Sequence, residues 1–170
     1  GLVDSIPELL QPAAPEQLEA LEKQRTRHFR ELSDACAARG IPSGSDLQAA
    51  VEGAFESEIW GDYAERCVEC GACNFICCTC HCFLLADGVD QFGHPARTRL
   101  WDACLYNGFA RTAGGGTPRP LRAERLRNRF DKKFSYFPQV MGRYACDGCG
   151  RCTEACIAHI DIRAVLHSAI

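Results

Sequence analysis

Apolar residues near the start of the chain recur at helical intervals. Leu18, Leu21, Phe29, Leu32 and Cys36 share one face of a segment otherwise rich in Glu, Lys and Arg. That pattern predicts an amphipathic helix over residues 14–39. Pro15 suits its first turn, and Gly40 followed by Pro42 ends it. Cys36, on the apolar face, reads as a core residue. Ser43 or Ser45 caps a second helix through Ala50, Val51 and Phe55, whose sparse charges suit packing against the first. A third helix, over 56–66, carries Trp60 and Tyr63 up to a first cysteine. Beyond this helix, strand signal is slight. Residues 95–113 read as helix, with Leu100, Trp101, Cys104, Leu105 and Phe109 as the apolar set, and the glycines at 114–116 break it. Residues 120–134 read as another, with Leu121, Leu126 and Phe130 facing inward, and 161–168 as a short closing one.

Chemistry enters with the cysteines, 13 in 170 residues. Cys67, Cys70, Cys73 and Cys77 read C-x2-C-x2-C-x3-C, and Cys146, Cys149, Cys152 and Cys156 repeat that spacing. This is the run that holds [4Fe–4S] clusters in bacterial ferredoxins. A lone C-x2-C is ambiguous, and a zinc site needs only four thiolates. Eight in two matching runs predict two [4Fe–4S] clusters. The repeat is separated by helical sequence, so the expected fold is mainly α. It is a helical two-cluster ferredoxin-like domain over 56–170, preceded by an N-terminal helical extension over 1–55.

In two-cluster ferredoxins the fourth cysteine of each run binds the other run's cluster. That rule assigns Cys67, Cys70, Cys73 and Cys156 to one cluster, and Cys146, Cys149, Cys152 and Cys77 to the other. Cys78 stands where proline is usual and leaves a register alternative, with Cys77 favoured because it keeps the x3 spacing. Gly71, Gly148 and Gly150 lie beside ligands, where a missing Cβ serves both tight turns and backbone approach to sulfide. Cys78, Cys80, Cys82 and Cys104 are a possible third metal site; the plainer reading makes them small buried hydrophobes. His81, His94, His159 and His167 read as structural, since eight cysteines leave no ligand position open.

The formal charge of −3 does not suggest a nucleic-acid binder, and two clusters would take it to roughly −7. Free thiols for iron imply a reducing, cytoplasmic setting. No segment suits a membrane span or a signal peptide. Arg119, Arg122, Arg125, Arg127, Arg129, Lys132 and Lys133 crowd one stretch. It reads as a docking surface for an acidic partner, a positive field near a cluster, or a solvated helix face. No nucleophile–base pair, nucleotide-binding glycine loop or P-loop is present.

Several stretches carry a family resemblance. They are Arg66-Cys67-Val68-Glu69-Cys70-Gly71-Ala72-Cys73, Cys77-Cys78-Thr79-Cys80-His81-Cys82, Arg99-Leu100-Trp101-Asp102-Ala103-Cys104, Cys146-Asp147-Gly148-Cys149-Gly150-Arg151-Cys152 and Ile160-Asp161-Ile162. From about Ile59 to Ile162 the chain resembles dicluster iron–sulfur subunits. These include the C-terminal part of the anaerobic sulfite reductase A subunit and the β subunit of cytoplasmic sulfhydrogenases. The resemblance implies an electron-transfer subunit of a multi-subunit oxidoreductase, placed between a flavoprotein or ferredoxin and a catalytic subunit and doing no substrate chemistry itself. It also implies a further domain upstream, of which residues 1–55 would be the tail. A free-standing ferredoxin and an iron–sulfur redox sensor are the alternatives.

Overall fold

The computed structural model describes residues 12–40 and 45–170. The chain divides into two units at residue 40. The first holds α1 (Pro15–Ala37), opened by Pro15 and by the Gln17 side chain, which accepts the Ala14 N–H at 2.9 Å. α1 buries none of its residues: Leu18, Leu21, Phe29 and Leu32 stand exposed. Cys36 is exposed with them, so its reading as a core residue does not hold. An apolar stripe becomes core only where another layer covers it.

In the second unit come α2 (Ser45–Gly53), α3 (Ile59–Arg66) and the short α4 (Ala72–Phe75). Of the two expected caps of α2, Ser43 lies outside the described residues. Leu47, Val51 and Ala54 enter the core of this unit with Trp60 and Ala64 of α3, so α2 belongs with the cysteine-bearing part of the chain. Trp60 Nε1 donates to the Ala54 carbonyl at 2.7 Å, which ties α3 to the end of α2.

The expected helix over 95–113 is not formed. Strands β1 (Phe83–Val89) and β2 (Pro95–Trp101) pair antiparallel instead, from Phe83 opposite Trp101 to Val89 opposite Pro95. The Asp90 carboxylate accepts the Phe92 and His94 N–H groups and builds the turn. Arg97 clamps Asp87 across the strands at 2.6 and 2.9 Å. Turns come after β2, and they bury Cys104, Leu105 and Phe109. The hairpin base is closed by Asp102 N–H donating to Cys82 O at 3.1 Å, which sets Cys82 and Cys104 side by side.

Next, α5 (Arg122–Asp131) runs through a π-helical turn (Lys132–Tyr136) into α6 (Phe137–Met141). Leu126 and Phe130 pack into the core, where Phe130 meets Trp60 at 5.4 Å between ring centroids. Leu121 of the expected apolar set is exposed. The short α7 (Arg151–Glu154) and α8 (Ile162–Ser168) close the unit, with Asp161 capping α8 by accepting the Arg163 N–H. Val165 and Leu166 bring α8 into the core. The two cysteine runs fold alike. In each, a glycine in left-handed backbone starts a one-turn helix, Gly71 before α4 and Gly150 before α7. α4 packs against α7, so the two runs face one another.

Candidate metal centre

The first run, its glycine turn and the end of the second run enclose one cavity. Cys67, Cys70, Cys73, Cys152 and Cys156 line it, together with Leu126, Arg129 and Phe130. Cys156 thus stands with the three cysteines that are distant from it in sequence. Among the described residues no three Cys, His, Asp or Glu side chains meet closely enough for a single metal ion. These sulfurs surround a space rather than a point, which suits a bulky cluster better than zinc. Burial pushes the Cys73 thiol up to about 11, and burial also raises Cys67.

Around the second run, Cys146 lies within electrostatic reach of both Cys77 and Cys152. A hydrogen bond from Cys80 pulls the Cys77 thiol down to about 3, with Thr79 and Lys133 acting in the same sense. These contacts favour the thiolate of Cys77, the form that binds iron. Its neighbour Cys78 also lies beside the second run: its sulfur is 3.9 Å from Asp147 Oδ2 and 3.5 Å from Arg151 Nη2. Arg151 Nε also donates to Cys149 Sγ at 3.2 Å. Cys80, Cys82 and Cys104 line a second cavity, which Cys78 does not enter.

Part of the basic stretch is not the solvated face that clustered charge usually makes, while Arg122 stays exposed. Arg125, Arg129 and Lys133 are 3%, 4% and 4% exposed, one helical turn apart on a single inward face. Arg125 pairs with Glu69 in the first cysteine loop. Arg122 Nη1 donates to the Ala64 and Cys67 carbonyls, at 3.2 and 2.9 Å. Lys133 Nζ donates to Cys77 Sγ at 3.3 Å, and to Thr79 Oγ1 and the Ala145 carbonyl, each at 2.9 Å. Of these cations Lys133 faces a thiol, as Arg129 does at Cys80, so part of the positive field is internal.

Arg129 tests whether this interior fits an anionic cluster. It lines both cavities, and its Nη2 has no hydrogen-bond partner among the described residues. Burial opposes its charge, and the sulfurs of Cys73, Cys80, Cys104 and Cys152 more than offset that effect. A buried guanidinium with an unmatched donor is costly unless an anion faces it. Thiolate-bound iron–sulfur clusters are such anions, so the residues fit the group.

Gly71 shapes the first loop. Its φ is +72°, and a Cβ there would lie 2.7 Å from the Tyr106 ring. Gly150 holds the equivalent backbone at φ +77° with no protein atom within 4 Å of such a Cβ. Gly150→Ala is expected to cost about 1–2 kcal/mol for left-handed backbone alone. Gly71→Ala should cost more, because the ring must also move. Urea unfolding of the metal-free variants checks this order; equal losses would mean Tyr106 yields freely.

The model of the 4Fe-4S dicluster domain family matches residues 66–160, more than half of the chain. The chain belongs to that family. This bears out the resemblance read from the cysteine runs, and with it the iron–sulfur nature of the cofactor. This dicluster chain is also similar to Sulfhydrogenase 2 subunit beta of Pyrococcus furiosus, at 36% identity over 142 residues. The match covers 82% of this chain and 42% of the relative, so the chain spans about two fifths of the curated relative's length. No solved structure matches it.

Proposed function

We propose that this chain is the electron-transfer part of a sulfhydrogenase-like oxidoreductase. It passes single electrons through two [4Fe–4S] clusters, between a flavoprotein or ferredoxin and a catalytic subunit. Cys67, Cys70, Cys73 and Cys156 hold one cluster, and Cys146, Cys149, Cys152 and Cys77 the other. The observation that carries this reading is the single cavity on which Cys67, Cys70, Cys73 and Cys156 converge. The named relative is itself a sulfhydrogenase subunit, which supports a place in a complex of that type. Bound clusters supply one-electron exchange without bond making. The protein's part is to hold thiolates at fixed corners, to aim Arg129 and Lys133 at the sulfurs, and to exclude water with Leu126 and Phe130. Among the described residues no helix is long and apolar enough to cross a membrane, and the proposed setting is the cytoplasm.

Anaerobic purification of the untagged protein from its source tests this reading. The chain should co-purify with flavin-bearing and catalytic subunits. Its clusters should reduce when the flavoprotein's electron donor is added and reoxidise when the catalytic subunit's acceptor is supplied. A monomer that exchanges electrons with many partners would make it a free carrier. Clusters that alter partner affinity without carrying electron flux would make it a sensor.

A further inference from the structure

The two runs use eight cysteines, and the hairpin gathers three more. Cys82 precedes β1 and Cys104 comes after β2, so the strand register sets them together although 22 positions separate them in the sequence. The Cys104 thiol donates to Cys82. Cys80 joins them around the second cavity, where Asn74, His81, Arg129, Lys132 and Lys133 complete the wall. Three of these neighbours, Asn74, Arg129 and Lys132, point N–H donors at the three sulfurs. Asn74 Nδ2 donates to Cys104 Sγ at 3.0 Å and to Cys80 Sγ at 3.7 Å. Arg129 Nη1 reaches Cys80 Sγ at 3.5 Å, and Lys132 Nζ reaches Cys82 Sγ at 3.6 Å.

That wall does not suit small hydrophobes. Asn74 and Arg129 are 1% and 4% exposed, and burying an amide and a cation beside neutral thiols is costly. The arrangement is what an anionic metal–sulfur group requires: soft ligands inside, N–H donors and positive charge around them.

We propose that Cys80, Cys82 and Cys104 hold a third iron–sulfur centre. It has three or four irons, and His81 in the same wall is the available donor for a fourth corner. Each cysteine binds iron as its thiolate, the proton leaving to solvent. Arg129, common to both cavities, puts this centre next to the one proposed for Cys67, Cys70, Cys73 and Cys156. The inference goes beyond the two-cluster reading and can fail separately from it.

The test is metal content and Mössbauer spectroscopy of the chain loaded anaerobically with ferrous iron and sulfide, for wild type, the double variant Cys82→Ser/Cys104→Ser, and Cys70→Ser. Wild type is expected to hold about eleven or twelve irons, and the double variant about eight. Cys70→Ser should lose a different spectral component. Wild type at about eight irons, unchanged in the double variant, overturns the third centre and leaves the two-cluster reading intact. Eight irons with one zinc overturns its iron–sulfur character. Absence of acid-labile sulfide sinks the two-cluster reading as well. The wild-type spectrum decides alone if the double variant fails to fold.

Discussion

Cys156→Ser is expected to strip or distort the cluster of the first run, not that of its own. The sulfur of Cys156 lines the cavity of Cys67, Cys70 and Cys73, and its thiol also accepts the Ile160 N–H at 3.4 Å. Cys77→Ser should do the reverse and disturb the cluster of Cys146, Cys149 and Cys152. In each case the expected loss is up to about four irons. EPR of the reduced variants shows which signal has gone. If each serine removes the signal of its own run, the crossed ligand sets are wrong. If Cys77→Ser changes nothing and Cys78→Ser removes the second run's signal, the register alternative holds.

The second large effect belongs to Arg129→Met, and its sign depends on whether metal is bound. In the metal-free chain the substitution removes a buried donor without a partner, a defect that costs about 1–3 kcal/mol. The metal-free variant should therefore resist urea at least as well as wild type. In the loaded chain the same substitution removes a positive charge beside the clusters, and an added electron is then less welcome. The reduction potential of the cluster nearest Arg129 should fall. Protein-film voltammetry and urea midpoints measure the two halves. A metal-free variant that is clearly weaker, with potentials unmoved, would make Arg129 a structural strut only.

The cysteine runs were legible in the sequence because iron–sulfur chemistry fixes their spacing. Periodicity located α1, α3, α5 and α8, since each presents apolar residues at helical steps. The hairpin escaped for a physical reason: both of its faces are largely exposed, so nothing enforces the alternation by which strands are recognised. Leu100, Trp101, Cys104 and Leu105 then imitate a helix face, although the first two sit on a strand and the others in turns. The meeting of Cys82 and Cys104 depends on strand register, which the pattern of apolar residues did not reveal. The basic stretch misled because clustered charge is usually solvated. A signal was present in it: Arg125, Arg129 and Lys133 recur at steps of four, which marks one helix face, and that face is buried.

The π-helical turn at Lys132–Tyr136 makes chain length itself part of the site. A π turn holds about one residue more than an α turn and leaves a backbone carbonyl to seek a partner elsewhere. Here the Lys133 carbonyl accepts the Ala145 N–H at 3.1 Å, while the Lys133 ammonium returns a bond to the Ala145 carbonyl at 2.9 Å. The residue before Cys146 is thereby buckled to the helix from both sides. Removing any one residue from this turn would let an unbroken α-helix form, yet would swing everything after it by about 100°. Phe137, whose ring lies 5.8 Å from that of His81, would be carried off its neighbour, and the buckle on Ala145 would open. A shorter chain would thus gain a more regular helix and lose the anchor of its second cysteine run.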